Sequence, residues 1–170
     1  MDIEIYDNFL KEPEAIRAYA KSLHYQLFPG MGTTLADAPY WQDYQFKFGM
    51  PPRTSFFRMG DGKPSDTYVH SDKSVAVKTA ILYLNKPGDD PLFEQDGTSF
   101  WMHKLTGEVM PLDTRKYDFT QPEYRDATKW ELIERVDMKF NRLIYYDARY
   151  YHSRTSEVHW NGRLIQTVFF

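Results

Sequence analysis

His70-Ser71-Asp72, with His152 far downstream, offers two imidazoles and one carboxylate. That donor set holds one face of a non-haem Fe(II) ion and leaves the opposite positions open. Arg163 follows the second histidine by 11 residues, a spacing that lets it anchor an acidic co-substrate beside such a metal. Together the four residues point to oxygen-activating chemistry. The HxD triplet alone is a weak signal, because it arises often by chance. A β-sandwich with two structural histidines, and with Arg163 paired to a surface carboxylate, has the same spacing.

The elements that must position these residues follow from side-chain alternation. His70 and Asp72 point the same way if one strand runs through both. His152 joins them only in a fold that returns the chain to the same place, as a jelly roll does by pairing early and late strands. Short β-like runs are predicted at residues 55–59, 67–70, 75–84, 99–104, 135–140, 143–147, 152–155 and 163–170. Asp61-Gly62, Pro87-Gly88-Asp89, Asp96-Gly97 and Asn161-Gly162 punctuate them, a texture that suggests an all-β sandwich or jelly roll. Within these runs Arg163, Ile165, Thr167 and Phe169 share one face, as do Thr79, Ile81 and Tyr83. A guanidinium and a hydroxyl four residues apart can grip one end of a short dicarboxylate, and Tyr83 can add a phenol.

Around this core the chain reads as one domain over residues 1–170. Residues 1–54 supply a short opening strand at 3–6, then a helix at 14–23 whose first turn accommodates Pro13. Ala15, Ala18, Tyr19 and Leu23 fall on one face of that helix. An irregular wrapping segment is expected at 26–52. The jelly-roll core spans 55–170 and carries an insertion at 105–134, with a helix expected at 123–134.

Composition narrows the function classes. The 12 Phe, 13 Tyr and 4 Trp favour strands and a ring-lined pocket. A net charge of −3 gives no general attraction to nucleic acid or anionic lipid, although Lys73, Lys78, Arg149 and Arg154 are compatible with a local basic rim. The absence of cysteine rules out disulfides and thiolate ligands. No stretch approaches the roughly 18 apolar residues of a membrane span. The acidic start, Met1-Asp2-Ile3-Glu4, has no signal-peptide character, so a cytoplasmic protein is expected.

The order of motifs resembles the Fe(II)/2-oxoglutarate-dependent oxygenases, in particular the prolyl-hydroxylase-like branch. The resemblance rests on Tyr68-Val69-His70-Ser71-Asp72, Ala80-Ile81-Leu82-Tyr83-Leu84-Asn85 and Gly97-Thr98-Ser99-Phe100, then on Asn141-Arg142-Leu143-Ile144-Tyr145-Tyr146 leading to His152, and on Gly162-Arg163-Leu164-Ile165-Gln166-Thr167-Val168-Phe169. It covers most of residues 55–170. The opening Tyr6-Asp7-Asn8-Phe9-Leu10 resembles a small uncharacterised group of the same superfamily. The implied fold is a double-stranded β-helix, mainly β with flanking helices. The implied ligands of Fe(II) are His70, Asp72 and His152. Arg163 would bind the distal carboxylate of 2-oxoglutarate, assisted by Thr167 and Tyr83. The resemblance departs at Asp96-Gly97-Thr98, which stands where Gly-Gly is usual.

The implied reaction couples O2 and oxidative decarboxylation, giving succinate and CO2, to hydroxylation of a small molecule, amino acid or peptide side chain. Arg154, two residues past His152, is a candidate for an anionic part of the substrate; a rim salt bridge explains it as well. Trp101 and Tyr68 are further candidate substrate contacts, with a core role for Trp101 the competing explanation. The alternatives are a nucleobase-directed oxygenase of the same chemistry and a jelly-roll module that binds metal or ligand without oxidising anything.

Overall fold

The computed structural model describes residues 1–27, 33–38, 42–60, 62, 69–112, 121–155 and 161–170. The strands are β1 (Ile3–Tyr6), β2 (Gln26–Leu27), β3 (Thr33–Asp37), β4 (Thr54–Gly60), β5 (Lys78–Tyr83), β6 (Gly97–His103), β7 (Trp130–Asp137), β8 (Leu143–Asp147), β9 (His152–Arg154) and β10 (Leu164–Phe169). Among the described residues three α-helices, α1 (Pro13–Ser22), α2 (Gln42–Phe48) and α3 (Gln121–Arg125), flank them. A seven-stranded sheet runs β1-β8-β5-β10-β4-β3-β2, and faces a three-stranded sheet, β7-β6-β9. The strand pairings are antiparallel, and late strands lie beside early ones, as a jelly roll requires.

Alternation sorts the large sheet's residues into two layers. Ala80 and Leu82 of β5, Leu143 and Tyr145 of β8, and Leu164 and Val168 of β10 pack outward against Ala20 of α1 and Tyr44 of α2. Their neighbours Ile81, Tyr83, Ile144, Tyr146 and Ile165 face inward and meet Phe100 and Val136 of the small sheet. Each fully buried Leu or Phe in these layers contributes about 2–3 kcal/mol. The polar Gln166 sits in the outer layer without penalty, because its amide accepts from the Tyr44 hydroxyl (2.8 Å) and donates to Ser55 Oγ (3.0 Å). A third cluster, Val69, Trp130 and Tyr151, covers the outer face of the small sheet.

Several expectations are corrected. The segment 26–52 is not irregular throughout: it contains β2, β3 and α2, and β3 extends the large sheet through β4. The helix expected at 123–134 stops at Arg125, and Trp130 onward is β7, paired to β6 over its length. The buried side of α1 is Ile16, Tyr19, Ala20 and Leu23, while Ala15 and Ala18 are exposed. Residues 67 and 68 of the strand expected at 67–70 lie outside the described residues.

Candidate active site

The three candidate metal ligands converge by two different local devices. His70 and His152 exchange backbone hydrogen bonds, His70 N–H to His152 O (2.9 Å) and His152 N–H to His70 O (2.8 Å), so β9 fixes both histidines at once. Asp72 does not continue a strand from His70. Its N–H donates to Ala148 O (2.7 Å), and its carbonyl accepts from Val75 and Ala76, opening a turn that swings its carboxylate back. A turn, and not the strand alternation expected from the spacing, brings Asp72 back to the two histidines.

In the resulting cluster His152 Nε2 lies 3.4 Å from Asp72 Oδ2, and His70 Nε2 lies 3.7 Å from Asp72 Oδ1. The donor atoms all fall within 4.8 Å of one another. His152 Nδ1–H donates to the Tyr150 carbonyl (2.9 Å), which fixes the tautomer and turns the Nε2 lone pair toward the cluster. Thr79 Oγ1–H donates to Asp72 Oδ2 (3.0 Å), tying the carboxylate to the inner face of β5. Two imidazoles and one carboxylate with no thiolate in reach are the donors a non-haem Fe(II) ion takes. The residues fit the metal.

A cavity between the sheets opens beside the cluster, lined by His70, His152, Arg58, Arg154, Arg163 and Ile165 among others. Arg163 precedes β10, and its placement is over-determined. Asn85 Oδ1 accepts from Leu164 N–H (2.5 Å) while Asn85 Nδ2 donates to Gly162 O (3.0 Å), pinning the backbone on both sides. Arg163 Nε–H donates to Asp96 Oδ2 (2.5 Å), and Asp96 Oδ1 accepts from Gly97 N–H (2.6 Å). Asp96 is fully buried, so the partner of Arg163 is an interior carboxylate and not a surface one. The departure from Gly-Gly at Asp96-Gly97 is therefore structural: it supplies the side chain that orients the guanidinium.

Thr167 shares the inner face of β10 with Ile165, and its buried Oγ1 has no hydrogen-bond partner among the described residues. Tyr83 is on the inner face of β5, but its hydroxyl is engaged with Thr98 Oγ1 (2.7 Å). Neither Thr167 nor Tyr83 lines the cavity itself; its lining sets the Arg163 guanidinium beside an apolar floor of Ile81 and Ile165, which fits one end of a short dicarboxylate.

Arg154 faces the cavity because it pairs with Thr98 on the same side of the small sheet as His152 and Phe100. Burial, reinforced by the nearby charge of Arg163, lowers its pKa to about 10. Trp101 is on the opposite face, beyond a bulge after Phe100. It packs against Val69, Trp130 and Tyr151, donates Nε1–H to Ser153 Oγ (2.9 Å) and does not line the cavity. Tyr68 lies outside the described residues. His103 is buried against Trp130 with its Nδ1 3.2 Å from Thr106 Oγ1, and it is not part of the His70, Asp72 and His152 cluster. Arg58 was missed. It stands opposite Ile165 across the β4–β10 pair and brings a third guanidinium to the cavity, its pKa lowered chiefly by burial.

No family model matches the sequence, and no curated protein matches it. Solved structures do match in fold. The non-heme alpha ketoglutarate dependent epimerase SnoN from nogalamycin biosynthesis superposes with a TM-score of 0.63 at 14% identity, over 98% of this chain and 76% of that one. HygX from Streptomyces hygroscopicus, with nickel, 2-oxoglutarate and hygromycin B bound, gives 0.56 at 12% identity, over 98% and 81%. A prolyl hydroxylase from Trichoplax adhaerens, in complex with a hypoxia inducible factor peptide fragment, gives 0.55 at 12% identity, over 99% and 83%. The chain therefore has the double-stranded β-helix fold that these proteins share.

Proposed function

We propose that this protein is an Fe(II)- and 2-oxoglutarate-dependent oxygenase. The observation that carries the reading is the conjunction of a His-Asp-His cluster and a pre-oriented buried arginine on one cavity. Structures of this fold that were solved with 2-oxoglutarate or named for alpha ketoglutarate dependence support it. His70, Asp72 and His152 would hold the metal. Arg163, with Thr167, would take the distal carboxylate, and Tyr83 would brace that end through Thr98. When bound, iron and 2-oxoglutarate supply O2-driven C–H oxidation with succinate and CO2 as co-products. The protein's own residues orient the co-substrate and keep water out, with Ile81 and Ile165 forming the dry wall. Arg154 would meet an acidic part of the substrate, a small molecule, amino acid or peptide side chain. Arg149, one of four residues compatible with a basic rim, pairs with Asp147 (2.8 Å). No helix among the described residues is long and apolar enough to cross a membrane, and a cytoplasmic location belongs to the same proposal.

The test is anaerobic titration of the protein with Fe(II) and 2-oxoglutarate, following the visible charge-transfer band of the chelated keto acid. The band should appear in the wild type and vanish in His152→Ala. In Arg163→Ala, Fe(II) binding should persist while 2-oxoglutarate affinity drops at least tenfold, as expected for a lost charge-assisted contact. No band in an iron-loaded, folded wild type would refute the reading.

A further inference from the structure

Tyr146 is a buried group packed against His152, next to the residues that line the cavity and not one of them. It lies on the inner face of β8, directly across from Thr79, the residue that holds Asp72. Its ring meets the His152 ring nearly edge-on at 5.1 Å and the Phe100 ring at 5.0 Å. Among the charges it senses are Asp72 and Arg58. The side chain is fully buried, yet its hydroxyl has no hydrogen-bond partner among the described residues. Tyr44 and Tyr83, equally buried, both spend their hydroxyls, on Gln166 and Thr98. An interior hydroxyl without a partner costs stability, so its presence beside a metal ligand calls for an acceptor that arrives later. Phenylalanine would fill the same space without that cost.

We propose that the Tyr146 hydroxyl donates a hydrogen bond to the metal-chelating carboxylate of the bound 2-oxo acid. This rests on the oxygenase reading above. Strand register sets Tyr146 on the rung of Thr79 and Phe169, where Thr79 holds Asp72, whereas Arg163 precedes β10 at the opposite end of that strand. The nearest anionic acceptor on a chelated 2-oxo acid is therefore its metal-end carboxylate.

Tyr146→Phe tests the assignment with three readouts that do not depend on turnover. The metal-free variant should melt at the wild-type temperature or higher, because it sheds an unsatisfied hydroxyl. Its Fe(II) affinity should stay within about twofold of wild type. Its anaerobic affinity for 2-oxoglutarate should fall about tenfold, with the charge-transfer band displaced, as the loss of one hydrogen bond to a charged group implies. A metal-free variant that melts lower would show that the hydroxyl already has a structural partner, and would overturn the proposal. Unchanged 2-oxoglutarate affinity and band position, with the wild type binding normally, would overturn it too. A wild type that binds Fe(II) but gives no band removes the oxygenase reading, and this proposal with it.

Discussion

Thr79 holds the metal cluster through a single hydrogen bond that orients Asp72. Outer contacts of this kind typically change metal affinity by about 10- to 100-fold. Thr79→Val keeps the shape and the strand and removes the donor, so Fe(II) affinity should fall about tenfold while the far-ultraviolet spectrum stays unchanged. Equal affinity measured by competition with a chelator would show that Asp72 needs no such restraint. The cluster itself was legible in the sequence, because an HxD triplet, a later histidine and an arginine at a fixed interval survive as linear spacing. Asp96, Arg58 and Tyr146 were not legible. Asp96 acts on Arg163, far along the chain, and Arg58 and Tyr146 reach the site only through the pairing of β4 with β10 and of β5 with β8.

At the level of elements, the β6–β7 ribbon depends on Gly97. Its φ is +155°, and a Cβ built there would come within 2.1 Å of the Val136 carbonyl oxygen. Because the obstacle is backbone, Gly97→Ala forces the strands apart, at a cost of about 3 kcal/mol or more. The same shift would displace Asp96, so the melting temperature and 2-oxoglutarate affinity should fall together. Stability unchanged in this variant would mean that β7 can yield. Strands β5, β8 and β10 were readable because both of their faces are buried and apolar runs with turn residues mark them. Residues 130–134 of β7 were misread as helical for the opposite reason, although 135–137 were expected in a strand. β7 is an edge strand with Glu131 through Arg135 exposed, so its charges lack the alternation that betrays a half-buried strand. The wrapping segment hid α2, whose only fully buried side chain among those described is Tyr44.

Over the whole molecule, the site lies on the seam between the two sheets. His152 belongs to the small sheet, whereas Asp72 is tied through Thr79 to the large one. An ion held by both should therefore clamp the layers together. At about 100 times its dissociation constant a metal adds about 2.7 kcal/mol of stability, which for a chain of this size raises the melting temperature by roughly 5–10 °C. Ni(II), which is redox-stable in air, serves for the measurement, and His152→Ala should abolish the shift. Verified binding without a shift would mean that the three ligands do not share one ion in the folded protein.

The order of strands in the large sheet has a consequence for how the protein is made. β10 lies between β4 and β5, and the partner of β5 on its other side is β8. During vectorial synthesis β4 and β5 thus emerge long before the strand that joins them. Both must wait with unpaired edges until residues 164–169 are available. Long-range pairing of this kind folds slowly and leaves the incomplete chain prone to association. Nascent chains halted before Arg163 should be captured by chaperones, and full-length chains released from them.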